Sequence, residues 1–522
     1  MIREISRRKC LRLWLCKPEY MERTKWENRF VLLRFWKKNY MMFLKDLKRF
    51  KMERLYDKLK AYSESDFYAF HMPGHKRNKT LLGIELPYDL DITEIDGFDD
   101  LHHADGILKE EQERAARVFG AEESHFLVNG STAGILSAVM GCTHRGDKIL
   151  VARHCHKSIY HAIYMNGLVP RYVYPEFDIS MHMNGEISKE DVAKALAAEP
   201  DIKAVVIVSP NYDGVVSDVK GIAEVAHSYR IPLIVDEAHG PHFGFHPAFP
   251  GRANDLGADV VINSLHKTLP SLTQTAILHI NGKLANRRRI KKYLDMLQSS
   301  SPSYIFMASL DACVDFLDGK CEEAFELYVE RLQKFREELK PLQHLQILRT
   351  EHYDISKVVI STANANITSP ELADRLRKEY HLEMEMTGGT YVLAMTTVAD
   401  TQEGLNRLKA ALLEIDDQLE AKTAVSGSIE ISGELPRLEQ YFTPQEAAER
   451  EEDGEAEEIP WKESEGHISL EYAYLYPPGS PVIVPGERIS REAVELLCYY
   501  ETQNLQIEGI QTEGKIKVWK HE

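Results

Sequence analysis

Cysteine is scarce and unpatterned: seven among 522 residues (Cys10, Cys16, Cys142, Cys155, Cys313, Cys321, Cys498), an odd number with no CxxC spacing. That argues against a disulfide framework and a zinc site, and it fits a reducing compartment. Long apolar runs are lacking too. Nothing approaches the roughly 20 residues that span a bilayer, and CLRLWLC (10–16) is too short and interrupted for a signal-peptide core. The expectation is a cytoplasmic protein without a membrane span. Positive charge is short outside the N-terminus. Residues 1–51 hold 16 Lys and Arg against 5 Asp and Glu, the rest 48 against 76, within a net charge of −17. An acidic body makes nucleic acid a poor partner and favours cationic small molecules, although an ordinary solvated surface can also be acidic.

The length suggests about three domains. Residues 1–51, where Trp, Phe and Leu alternate with Lys and Arg, read as a basic extension outside the main fold; a basic amphipathic helix is the other reading. From 125 to 281 short apolar runs alternate with helical stretches. The runs are HFLVN (125–129), KILVA (148–152), PRYVYP (170–175), AVVIVSP (204–210), PLIVDEA (232–238), DVVINS (259–264) and AILHIN (276–281). TAGILSAVMG (132–141) and DVKGIAEVAHSY (218–229) are helical between them. This alternation predicts an α/β fold with a largely parallel seven-stranded sheet flanked by helices, ligands lying at the strands' carboxyl ends. A long helical stretch (305–340) follows. Next comes a smaller α+β segment with KVVIST (357–362), a hairpin in EMEMTGGTYVLAMTT (383–397) and a helix at 401–421. Thr443, Pro444 and Glu446 predict a capped helix start, and the acidic run 449–458 leads into an apolar final segment, 468–522. The expected units are 1–51, 52–304, 305–425 and 426–522.

Chemistry concentrates at the predicted strand ends. Lys267, in SLHK directly after DVVINS, is placed where an amine can be desolvated and form a Schiff base with an aldehyde cofactor. Ser264 and His266 beside it can bond a phosphate. Alone, a lysine after a strand is ordinarily a surface residue. Asp236 ends IPLIVD, and a buried carboxylate there suits a protonated pyridine nitrogen; alone, it is equally a turn cap. NGSTAG (129–134) sits between a strand and a helix, the geometry of a phosphate site, with Ser131 and Thr132 adding hydroxyls. His156, after KILVA, offers a ring that could stack on a cofactor. Together these four positions point to pyridoxal 5′-phosphate (PLP).

HMPGHK (71–76), DDLH (99–102), NGSTAG, HKS (156–158), VDEAHG (235–240), SLHK and YPPGSPVIVPGE (476–487) occur in one order that resembles the Orn/Lys/Arg decarboxylases over residues 52–522. These are PLP enzymes of the aspartate-aminotransferase fold, fold type I, and the chain is similar to their shorter bacterial form. The resemblance implies Lys267 as the Schiff-base lysine, Asp236 at the ring nitrogen, and Ala238 and His156 on the ring's two faces. Ser131, Thr132, Ser264 and His266 would hold the phosphate, with Lys267, His156 and Asp236 as the catalytic set. It implies a homodimer or larger homo-oligomer in which HMPGHK and SSSPSY (299–304) help build shared sites. The implied reaction is decarboxylation of arginine, lysine or ornithine, in that order of expectation, to a polyamine-pathway amine and CO₂. Asp91, Glu94, Asp96, Asp99, Asp100 and Glu471 are candidates to read the substrate's distal cation. Two departures stand out: Ser480 where the family usually carries an aliphatic residue, and TLPSLTQ (268–274) without the glycines of many relatives. Another fold type I reaction, transamination or aldol cleavage, and a non-catalytic relative are the alternatives. The matched motifs contain no arginine placed to clamp an α-carboxylate, which favours decarboxylation over transamination.

Overall fold

The computed structural model describes residues 54–178, 183–349, 351–421, 434–475, 479–502, 505 and 507–520. The basic extension expected over 1–51 lies outside them, as do residues 476–478 of the YPPGSP motif. Among the described residues no helix is long and apolar enough to cross a membrane.

A seven-stranded sheet organises the first part of the chain. Its strands are β1 (Glu123–Leu127), β2 (Lys148–Ala152), β3 (Val169–Val173), β6 (Val205–Val208), β7 (Leu233–Asp236), β8 (Val260–Asn263) and β9 (Ala276–Ile280); β4 (Phe177–Asp178) and β5 (Met183–Asn184) form a separate hairpin. The spatial order is β1-β9-β8-β7-β6-β2-β3. All pairings from β8 to β3 are parallel, whereas β9 pairs antiparallel with both β8 and β1. Only β9 is therefore reversed, and the other six strands deliver their following loops to one edge of the sheet.

The central strands β6, β7 and β8 are buried at every residue, which explains their unbroken Val, Ile and Leu content. Alternate residues serve opposite faces. Leu127 and Leu278 join the apolar cluster on one side, Phe126, Val128 and Ile277 the cluster on the other. Helices cover both faces: α1 (Leu55–Ser63), α2 (Ile107–Phe119), α3 (Gly130–Cys142), α4 (Lys157–Met165), α5 (Lys189–Ala198), α6 (Val219–Ser228), the single turn α7 (Leu265–Thr268) and α8 (Arg287–Leu297). Gly134 lets α3 lie directly on the sheet, since a Cβ there would meet Leu127 Cδ1 at 2.6 Å.

The long helical stretch expected over 305–340 consists of two helices, α9 (Tyr304–Leu317) and α10 (Glu322–Glu338). Between them Gly319 adopts φ +87°, which breaks the helix while apolar residues continue on both sides. A four-stranded antiparallel sheet follows, ordered β10-β11-β13-β12, from β10 (Gln346–Ile347), β11 (Lys357–Ser361), β12 (Met386–Thr387) and β13 (Tyr391–Met395). The helices α11 (Ser369–Tyr380) and α12 (Gln402–Asp416) pack with it. Val358 and Ile360 of β11 share the apolar cluster of the large sheet, so the small sheet is seated against it.

Near the C-terminus, α13 (Pro444–Glu452) begins with the capping box read from the sequence, formed by Thr443 and Glu446. The acidic run 449–458 is no plain connection. Its first half ends α13, and its second enters β14 (Ala456–Pro460), which pairs with Lys515–Trp519. Glu458 there faces Lys517 in register, a pairing of opposite charges that suits an exposed ribbon.

Candidate active site

Three strand ends build the site. β7 terminates at Asp236, buried with 3% of its surface exposed, and β8, its parallel neighbour, leads through Ser264 into the turn carrying Lys267. The amine and the carboxyl sense each other: burial raises the Asp236 carboxyl while Lys267 pulls it down, and burial lowers the Lys267 amine while Asp236 supports its charge. Asp236 Oδ1 accepts the N–H of Ala238 at 3.1 Å, which seats Ala238, itself buried, against the same wall. β2 supplies His156 as the N-cap of α4. Its Nδ1 accepts the N–H of Ser158 at 3.2 Å and lies 2.8 Å from Ser158 Oγ, so the ring's orientation is fixed. Burial first, then the charges of Lys267 and Lys157, push this histidine down to about 4, so the ring is neutral at physiological pH.

The N-terminus of α3 and the β8–α7 turn are the segments read from the sequence as a phosphate site. Asn129 caps α3 without a side-chain bond, leaving the first N–H groups of the helix unsupported by a cap. Gly130 adopts φ +73° and faces the Gln274 carbonyl. Ser131 is half-buried and Thr132 exposed on this first turn. Ser264 is fully buried, and its Oγ has no hydrogen-bond partner. A buried hydroxyl left unpaired costs about 1–3 kcal/mol, so a phosphate oxygen is a natural partner. His266 Nδ1 lies 2.8 Å from the Thr275 carbonyl and donates to it. The remaining ring nitrogen can donate to a phosphate only when the imidazole is protonated, which burial opposes.

Several neighbours escaped the sequence reading. His239, quoted within VDEAHG without a role, lies with Nε2 2.9 Å from Lys267 Nζ and Nδ1 2.8 Å from the amine of Lys357 on β11. Tyr212 packs against His239 in a tilted pair, 56° between ring planes and 4.6 Å between centroids, and its hydroxyl donates to Glu385, which also acts electrostatically on both lysines. The signal for Lys357 was a charged residue opening an apolar strand, which reads as a solvent-facing end.

The acidic candidates separate clearly. Asp99 accepts the N–H groups of Asp105, Gly106 and Leu108, and Asp100 that of His102, so both organise the chain entering α2. Glu471 is buried in the C-terminal part and accepts from the N–H groups of Gln511 and Lys517, a structural task rather than a recognition one. Asp91 pairs with His75 at 3.2 Å, Asp96 is exposed, and Glu94 keeps a buried Oε1 with no hydrogen-bond partner. Ser480 donates to the His154 carbonyl at 2.7 Å, two residues before His156. This departure from the family pattern thus braces the loop that carries the stacking candidate. Among the described residues no cluster of side chains could hold a metal ion.

An α/β sheet with one reversed strand, the loops of the other six gathered at one edge and a smaller α+β layer beside it is the fold type I architecture. Residues 53–365 match the family model "Orn/Lys/Arg decarboxylase, major domain" and residues 433–514 the corresponding C-terminal domain. The chain belongs to the Orn/Lys/Arg decarboxylase family and is an amino-acid decarboxylase. It is 33% identical over 471 residues to an arginine decarboxylase of Bacillus subtilis, covering 87% of this chain and 95% of that one. An arginine decarboxylase of Bacillus anthracis is 32% identical, covering 89% and 97%. Lysine decarboxylase LdcA of Pseudomonas aeruginosa is 25% identical, covering 83% and 73%. The solved constitutive lysine decarboxylase of Escherichia coli superposes with a TM-score of 0.76 at 21% identity, covering 95% of this chain and 84% of that one, a likeness of fold.

Proposed function

We propose that the chain decarboxylates a basic amino acid, arginine first, with PLP attached to Lys267. The observation that carries this reading is a desolvated amine and a buried carboxyl at the ends of two adjacent parallel strands, with the unpartnered Ser264 hydroxyl beside them. Arginine leads because the relatives named arginine decarboxylases reach 32–33% identity, against 25% for the lysine enzyme.

PLP, when bound, supplies a protonated ring that can accept the electron pair left when the carboxylate departs as CO₂. The residues present fit that group. Asp236 would hold the proton on the pyridine nitrogen, and its burial strengthens the bond. Ser264 Oγ and the first N–H groups of α3, with Ser131 and Thr132, would hold the phosphate, and His266 would add a donor once protonated. Ala238 and His156 would confine the ring from its two faces, and the neutral state of His156 keeps a second positive charge away from it. Lys267 Nζ, freed as a neutral amine, would take back the cofactor and release the product amine, and a nearby histidine would hand a proton to the carbon that has lost CO₂. Holding the scissile bond perpendicular to the ring is the pocket's main contribution; orientation of this kind supplies on the order of 7–11 kcal/mol in favourable systems.

Recognition of the distal cation would fall to an acidic side chain: Glu385 stands within electrostatic reach of Lys267, and Glu94 has an uncommitted oxygen. A homodimer with shared sites is part of the proposal. Phe67, Tyr68, Phe70, Met72, Leu81 and Leu82 are all exposed on the segment that carries HMPGHK, which fits a surface covered by a second copy. Placement in the cytoplasm, a role in polyamine formation and domains spanning 52–304, 305–425 and 426–522 complete the reading.

The test is purified protein with PLP, offered arginine, lysine and ornithine, with agmatine, cadaverine and putrescine quantified. Borohydride reduction followed by peptide mass spectrometry should find a pyridoxyl group on Lys267 and none in K267A. Absence of all three amines from protein that carries the Lys267 adduct sinks the substrate class; an adduct on another lysine sinks the site.

A further inference from the structure

The imidazole of His239 is fully enclosed between two lysine amines, and burial together with those amines drives it well below its ordinary pKa. It is therefore neutral, with one N–H and one lone pair. The lone pair can receive a proton donor from one lysine, but the N–H must be received by a lone pair on the other. With Nζ atoms at 2.9 and 2.8 Å on either side, both bonds form only when the lysine facing the N–H is a neutral amine, while its counterpart donates to the lone pair and is free to be an ammonium.

The surroundings decide which is which. Lys357, wholly buried, faces Asp354 from the loop before its strand, Tyr212 and Asp213 from the 211–214 turn, Glu385 ahead of β12, and Lys267. Asp354 is a firm anion: it accepts from His242 Nε2 at 3.1 Å, Ser356 N at 2.9 Å and Ser356 Oγ at 2.7 Å, and these keep its carboxyl low. Asp213, bonded by the Tyr391 hydroxyl at 2.6 Å, is pushed up to about 6 and is still mostly ionised at neutral pH. Burial lowers Lys357 to about 8, so it keeps its proton at neutral pH. Lys267 is faced by Asp236, Glu385, His239, His156 and His266. Of its anions, Asp236 is raised by burial and is the group assigned to the cofactor nitrogen, and Glu385 is exposed. The chain also fixes where the Lys357 charge sits. Gly214, at φ +108°, packs on the lysine stem so closely that a Cβ would come within 2.7 Å of Lys357 Cγ.

We infer that Lys357 is a positioning residue: its ammonium donates to His239 Nδ1, fixing the Nε2–H tautomer, whose N–H is received by the lone pair of Lys267 and so holds that amine unprotonated. The inference rests on Lys267 being the cofactor lysine, and it deepens that role. An amine must be neutral to attack a carbonyl carbon, and the relay supplies that form each time Lys267 is free.

The experiment uses protein freed of PLP and trace labelling with acetic anhydride across pH, reading the extent of acetylation at Lys267 by peptide mass spectrometry. Wild-type Lys267 should titrate well below a free lysine. In K357M, where no charge sets the tautomer, its midpoint should rise so that reactivity at pH 8 falls about tenfold, the equivalent of one pKa unit. H239M should move it the same way, whereas K357R, which keeps the charge, should stay near wild type. A role confined to packing would leave the Lys267 midpoint in place in both methionine variants, and that result overturns the inference. Should K357M fail to fold, judged by circular dichroism, H239M decides alone. The borohydride adduct on wild-type Lys267 is scored separately, so a missing adduct rejects the cofactor assignment while an unmoved midpoint rejects the relay.

Discussion

Replacing Arg153 with methionine should loosen the joint between the catalytic sheet and the C-terminal part of the chain. Arg153 follows β2 and is completely buried, as is Glu487 at 1% exposure. One guanidinium nitrogen, Nη2, donates both to Glu487 Oε2 and to the Val482 carbonyl at 2.9 Å. The guanidinium also lies 4.8 Å from the centre of the Tyr172 ring. Glu487 Oε2 accepts in addition from Val484 N at 2.8 Å. Methionine fills much of the same volume but strands the carboxylate, and a buried pair broken from one side loses about 3–5 kcal/mol. That is roughly two to nearly four powers of ten in the population of the loosened state. Burial already raises the Glu487 carboxyl and Arg153 counters it, so the R153M variant should carry that group higher still. A carboxyl whose pKa is higher folded than unfolded favours the folded state at low pH and loses that advantage as pH rises through the folded value. The deficit of R153M should therefore shrink as pH is lowered toward the carboxylate range and be full at pH 8. Trp461 and Trp519 both belong to the C-terminal part and the other three tryptophans precede residue 37, so urea titration followed by tryptophan fluorescence, checked by hydrogen exchange over 479–489, reads this joint. The double variant R153M/E487M should recover most of the loss. An R153M protein within about 0.5 kcal/mol of wild type at pH 8, or a double variant whose loss is the sum of the singles, would refute the argument.

Glu111, Asp311 and Arg114 form a second buried cluster, in which burial and then Asp311 raise Glu111 to about 8 while Arg114 holds both carboxyls together. Its folded value exceeds the unfolded one, so this stabilisation is present at acidic pH and fades through pH 8; E111Q, which mimics the protonated acid, should match wild type in melting temperature at pH 6 and exceed it at pH 9. S264A should fold normally yet bind PLP about tenfold more weakly in a fluorescence titration, the loss expected of one phosphate hydrogen bond of roughly 1.4 kcal/mol; unchanged affinity would place the phosphate elsewhere.

The large sheet was legible because its strands are buried on both faces, which writes each as a short run of Val, Ile and Leu. The placement of Lys267 and Asp236 at strand ends followed from the same runs. Reversal of β9 left no trace, since AILHI looks alike read in either direction. The break at Gly319 was hidden because apolar residues on both sides face one core. Lys357 was invisible for a different reason: its partner His239 is 118 residues away in the chain, and a lysine opening a strand looks solvated until the fold closes over it. Glu471 misled because its proximity to YAYLYPPG in sequence says nothing about which way a buried side chain turns.

The reversed β9 also governs what the Lys267 segment can do. Residues 264–275 leave β8 and return beside it, so their two ends are pinned to neighbouring strands by a continuous ladder of hydrogen bonds. A short segment whose ends are held to adjacent paired strands has little slack for a large excursion. Motion during turnover is left to the lysine's own four-carbon stem, and inserted residues here would be far less tolerated than in the exposed stretch 81–86.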